Sequence, residues 1–177
     1  LYRYAVGAWE NRWTLPDLTQ AFGRVVSDAP LSLTFARRDG DLPADEWALL
    51  GGSPWYAELM AGLRDVGRDG TASGLSDAWR RQGLPGGLLA KTGTLAEPDA
   101  TGRGDGLFMK SLLFAVGESR ASVGRPLECG VVGAVYIRFA EGPRRGSLPA
   151  AHIEFAEREL GRFLAERWES FGVCGDG

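Results

Sequence analysis

The chain has 177 residues, a net charge of −3 and 26 glycines, with an isoelectric point near 5.3. That length predicts one domain, able to bury roughly 70% of its unfolded surface. An acidic balance without a basic stripe argues against a nucleic-acid partner. No stretch approaches the ~20 apolar residues of a membrane helix, and Leu1-Tyr2-Arg3-Tyr4 lacks the basic-then-apolar order of a signal peptide.

In chain order, residues 1–85 read as mainly helical. Thr14-Leu15-Pro16-Asp17 predicts a helix start, with Thr14 as cap and Pro16 in the first turn, where its missing N–H costs nothing. Leu18, Ala21, Phe22, Val25 and Val26 follow at helical spacing, and Asp28-Ala29-Pro30 ends the run. Residues 31–45 read as extended or loop, turning at Asp39-Gly40-Asp41. A second helix is predicted from about Pro54 to Val66 on the stripe Trp55, Leu59, Met60, Leu63 and Val66, closed by Gly67-Arg68-Asp69-Gly70. A short helix from Ser73 to Arg81 would turn Leu75 and Trp79 inward.

Residues 86–139 read as a three-strand sheet: Leu88 to Leu95, Phe108 to Val116 and Cys129 to Phe139. Breaker-rich residues 96–107 read as a loop, including the Arg103-Gly104-Asp105 triplet, best explained as a Gly-rich turn. The links are too short for crossover helices, so the strands should be antiparallel. A long helix from Pro149 to Phe171 is expected to bury Ile153, Phe155, Ala156, Leu160, Phe163, Leu164 and Trp168. On its charged face, Glu154 with Arg158 and Arg162 with Glu166 have i,i+4 spacing. The predicted class is α+β, an antiparallel sheet with helices layered on it and a long C-terminal helix.

Cys129 is expected to be a small core residue, and a bridge to Cys174 cannot be read from spacing. A zinc site is not expected, because His152 is the single histidine and no cysteine pair has ligand spacing. His152 itself is expected to be a satisfied or exposed helical histidine. Of the tryptophans, Trp9 and Trp13 could lie at an interface, while Trp47, Trp55, Trp79 and Trp168 read as core or cleft cover.

The most informative segment is Lys91-Thr92-Gly93-Thr94, set in the apolar run Leu88 to Leu95. Lysine occurs elsewhere only at Lys110, the remaining positive side chains being arginine. Gly70-Thr71-Ala72 stands about twenty residues before the tetrapeptide, and Trp13 to Phe22 carries a loose Thr-Pro-x-x-Leu-x-x-Ala pattern with Leu15 interposed. On these segments the chain resembles the C-terminal part of a penicillin-binding protein transpeptidase domain, over nearly its whole length.

The resemblance implies a partial serine β-lactamase/transpeptidase fold and a role in acyl transfer to a serine. The Thr94 N–H would donate to the developing oxyanion, and the Thr92 and Thr94 hydroxyls would hold the substrate's terminal carboxylate. Lys91 would add positive potential, and Gly93 would let the donor peptide lie along the strand edge. The implied partners are the D-Ala-D-Ala end of a peptidoglycan stem peptide and β-lactam antibiotics, with no cofactor and no metal. A β-lactamase or D,D-carboxypeptidase is a sibling reading. The implied location is the outer face of a bacterial cytoplasmic membrane, with any tether outside this chain.

Two of the family's three motifs are absent. Neither Lys91 nor Lys110 has a serine three residues before it, and the single asparagine, Asn11, follows Trp9 rather than a serine. Ala90 stands where the family often has glycine. The first residue is Leu, which reads as an excised piece of a longer chain, with the nucleophile upstream of Leu1. The other reading is a catalytically inactive module that binds peptide or an assembly partner. An isolated piece of this kind would expose a sheet edge and is expected to be stable only with the missing N-terminal half of the domain.

Overall fold

A computed structural model describes residues 14–29, 50–85, 87–98, 105–117, 125–139 and 151–171. Helix α1 (Leu15–Ser27) opens with a capping box: Thr14 Oγ1 accepts from the Asp17 N–H and the Asp17 carboxylate accepts from the Thr14 N–H. The Thr14 hydroxyl, which donates to the Asp17 carboxylate at 2.7 Å, and secondly the Thr14 N–H hold that carboxyl below its ordinary range. The helix ends at Asp28, in the left-handed conformation at φ 49°. Its carboxylate accepts the backbone N–H groups of Leu50 at 2.5 Å and Gly51 at 2.8 Å, tying the approach to the next helix to the end of the first. Residues 31–45 and Trp47 lie outside the described residues, as do Trp9 and Trp13.

Helix α2 (Tyr56–Arg68) and helix α3 (Ser73–Arg81) are joined by the Gly70-Thr71-Ala72 turn. Trp55, expected in the buried stripe, precedes the helix and is 49% exposed. Tyr56 takes the buried position instead and donates its hydroxyl to the Val25 carbonyl at 2.8 Å. Burial, and secondarily the Asp28 charge, push its phenol up to about 12.

The sheet comprises β1 (Gly87–Pro98), β2 (Asp105–Gly117) and β3 (Val131–Phe139), in that spatial order and antiparallel throughout. Strands β1 and β2 extend into what read as loop. Their ladder continues from Ala96 opposite Phe108 to Pro98 opposite Asp105, with an irregularity between. Cross-strand backbone pairing therefore recruits residues whose own composition signals a turn. Cys129 precedes β3 rather than joining it, and it is half-buried and disulfide-bonded rather than a plain core residue. The other cysteine of the sequence, Cys174, lies outside the described residues.

Each sheet face carries a core, because alternate residues of a strand point to opposite faces. On one face Leu89 and Ala115 meet Phe22 and Val26 of α1 and Tyr56, Met60 and Leu63 of α2. On the other, Leu88, Ala90, Leu112 and Phe114 meet Leu75 and Trp79 of α3 and the C-terminal helix. Val66 of α2 also reaches this second core, so α2 serves both faces from the β1 side. Gly67 allows its close approach: a Cβ there would lie 3.0 Å from the Leu88 carbonyl oxygen.

The C-terminal helix is α4 (Ala151–Phe155), a π-helical turn (Ala156–Leu160), α5 (Gly161–Arg167) and a final 3₁₀ turn (Glu169–Phe171). Trp79 explains the π turn. Its indole N–H donates to the Ala156 carbonyl at 2.8 Å, which also accepts from the Gly161 N–H five residues on. Gln82 captures the next carbonyl, that of Glu157, at 3.0 Å. Trp79 also packs edge-on to Phe114, with centroids 5.1 Å apart. The inward stripe is Ile153, Ala156, Leu160, Leu164 and Trp168. Phe155 and Phe163, expected inside, each sit one residue ahead of a stripe position, roughly 100° round the helix. They are 47% and 49% exposed. Phe163 instead meets Phe171 and the Arg167 guanidinium, and Arg162 pairs with Glu159 rather than with Glu166.

Candidate functional site

All four motif residues lie on β1, which among the described residues has a sheet neighbour on one side only, β2. An edge strand directs half of its backbone N–H and C=O groups away from its neighbour, which is what an added peptide strand would use. Strand alternation places Thr92 and Thr94 on the face of Leu88 and Ala90, and Lys91 and Gly93 on the face of Leu89. The tetrapeptide thus divides its lysine and its hydroxyls between the two faces.

Lys91 is exposed and its Nζ donates to the Thr92 carbonyl at 2.6 Å. Thr94 is exposed, and Lys110 is its cross-strand neighbour. Thr92 is half-buried, and its Oγ1 lies 2.9 Å from Oγ1 of Thr71. Gly93 faces Ser111: a Cβ at position 93 would stand 2.6 Å from the Ser111 hydroxyl oxygen. Glycine here admits the Ser111 side chain.

The Thr71 partnership depends on the turn that carries it. The Gly70 N–H donates to the Asp65 carbonyl at 2.8 Å and the Ala72 N–H to the Val66 carbonyl at 3.0 Å. A Cβ at Gly70 would lie 2.8 Å from the Val66 Cα, so a larger residue would push the turn open. Ala72 is fully buried and anchors the far side. Sequence reading singled out Gly70-Thr71-Ala72 as a segment but gave Thr71 no role, and it missed Ser111 and Lys110. Their places follow from strand register and turn packing, which no local pattern signals.

His152 is 6% exposed and its Nδ1 has no hydrogen-bond partner among the described residues, contrary to the expectation of a satisfied or solvated histidine. It enters the core at the start of α4, where the helix packs on β2 and β3. Burial, and then the charge of Lys110, hold its pKa below 6.5.

A cleft of about 460 Å³ opens between the end of α2, α3 and the start of β1, lined by Arg64, Arg68, Arg80, Ser73, Ser76, Asp77, Gly67, Gly87 and Leu88. None of the four motif residues lines it. Arg68 is engaged by Asp65 and Asp69 and Arg80 by Asp77, so much of its positive charge is offset within the wall. Among the described residues no helix is long and apolar enough to cross a membrane.

The chain was compared with protein-family models, curated proteins and solved structures, and none of them matches it.

Proposed function

We propose that this chain is the C-terminal part of a penicillin-recognising serine acyltransferase domain, of the D,D-transpeptidase kind. The observation that carries the reading is the placement of Lys91-Thr92-Gly93-Thr94 on a strand that is at the sheet edge among the described residues, with the Gly70-Thr71-Ala72 turn bonded to it through Thr71 and Thr92. In this role an extended acyl-donor peptide, ending in D-Ala-D-Ala, lies along β1. The Thr94 N–H donates to the oxyanion as the carbonyl becomes tetrahedral, and the Thr92 and Thr94 hydroxyls hold the terminal carboxylate. Lys91 supplies positive potential near that anionic end. Gly93 keeps the strand open to close backbone approach. The disulfide at Cys129 suits an oxidising compartment outside the cytoplasm, where such a substrate is found.

The reading requires a serine nucleophile and its lysine base, and no Ser-x-x-Lys occurs in these 177 residues. That same observation favours the second reading, a non-catalytic module that binds peptide on the same edge. Labelling of the intact gene product with a fluorescent penicillin decides between them. On a denaturing gel with a boiled control, a covalent band larger than 19.0 kDa is expected. A folded protein that takes no label would overturn the acyltransferase and leave the module.

A further inference from the structure

We propose that Thr71 is a positioning residue for the carboxylate clamp, a role that rests on the acyl-transfer reading above. Its hydroxyl and that of Thr92 are 2.9 Å apart, and either can donate. A hydroxyl has one proton, and a carboxylate only accepts. When an anionic ligand reaches Thr92, that proton must go to the ligand, so Thr71 becomes the donor of the inner bond. The resulting chain runs from Thr71 to Thr92 to the carboxylate, each bond polarising the next. Thr71 is well placed for this task. Its backbone neighbours are fixed by the Gly70 and Ala72 hydrogen bonds, and its own side chain is exposed at the rim of the Thr92 and Thr94 face.

A second consequence separates Thr71 from Lys91. Lysine attracts any anion in its neighbourhood, whereas the Thr71–Thr92 pair sets the direction of one proton. Loss of Thr71 should therefore weaken recognition of a carboxylate more than that of its uncharged ester, whose carbonyl is the weaker acceptor of the Thr92 proton. A general loosening of the strand would weaken both alike.

The test uses the intact protein and two probes, a penicillin with its free carboxylate and the methyl ester of the same compound. The second-order rate of covalent labelling is measured for wild type, Thr71→Val and Thr71→Ser. Val keeps the β-branched shape without the hydroxyl, and Thr71→Ala repeats the deletion without the branch if Val does not fold. The expected result is a loss of about tenfold to a hundredfold for the carboxylate probe in Thr71→Val. The ester rate should fall clearly less than the carboxylate rate, and Thr71→Ser should restore most of the carboxylate rate. Equal slowing of both probes, or no slowing of either, would overturn the role of Thr71 while the acyltransferase stands. A wild-type protein that takes no label overturns both.

Discussion

Gly93 offers the sharpest test of how the candidate site is built, because two opposing effects can be weighed there. Its backbone is not in the positive-φ region that Gly83 occupies at 89°. Alanine at 93 is therefore conformationally acceptable and should gain about 0.4–1 kcal/mol by restricting the unfolded chain. Against this, the new Cβ would stand 2.6 Å from the Ser111 hydroxyl oxygen, where ordinary contacts begin at 3.4 Å. Forcing a methyl into such a gap typically costs about 1–3 kcal/mol, through a displaced rotamer or a shifted strand. The clash wins, and Gly93→Ala should destabilise by about 1–2 kcal/mol. Ser111→Ala removes the offending oxygen and keeps the strand. In that background the same Gly93→Ala change should become neutral or stabilising, by up to about 1 kcal/mol. The assay is equilibrium urea unfolding of the intact protein and the three variants, followed by tryptophan fluorescence. An equal loss from Gly93→Ala with and without Ser111 would refute the idea that this contact demands glycine.

Other outcomes follow from the same structure. Because His152 has a pKa below its unfolded value of 6.5, the unfolded chain takes up the proton first as pH falls. Stability from this residue is present above pH 6.5 and is lost as pH falls below it, so His152→Leu should flatten the fall on the acid side of pH 6.5 in a series of thermal melts; an unchanged slope would show that other groups cause it. Gly161→Ala would place a Cβ 2.2 Å from the Gln82 Oε1 and 2.7 Å from the Trp79 ring. Overpacking of this buried site should cost about 1–3 kcal/mol in denaturant unfolding, and a neutral variant would contradict the π-turn packing described above. Asp28→Asn removes the lesser of the two causes that raise Tyr56. Ultraviolet titration should then find this phenol titrating below about 12 yet still above 10.0, because burial dominates; a fall to 10.0 would mean that the charge, not burial, governs it.

Much of the architecture was legible because its signals are local. The Thr14 cap and Pro16 marked the start of α1, and the Ser73 to Arg81 helix has the predicted bounds. The apolar runs around Leu88, Leu112 and Val135 announced three strands, and short links implied their antiparallel order. Strand ends were not legible, since the Pro98 and Asp105 pairing is imposed by the neighbouring chain rather than by either residue. The same limit applies to Phe155 and Phe163, where the direction of a residue beside an apolar stripe depends on how Trp79 and Ala156 set the helix against the sheet.

The candidate site divides along the same line. Sequence alone determined that a lysine, two threonines and a glycine would occupy consecutive places on an extended segment, because that is a property of the segment itself. Only the tertiary structure decided that Thr92 meets Thr71, that Gly93 faces Ser111, and that Thr94 lies across from Lys110 with His152 buried under the influence of that lysine. These neighbours are brought together by register and by a turn between two helices, and contacts made at long separation leave no periodic trace in the chain that makes them.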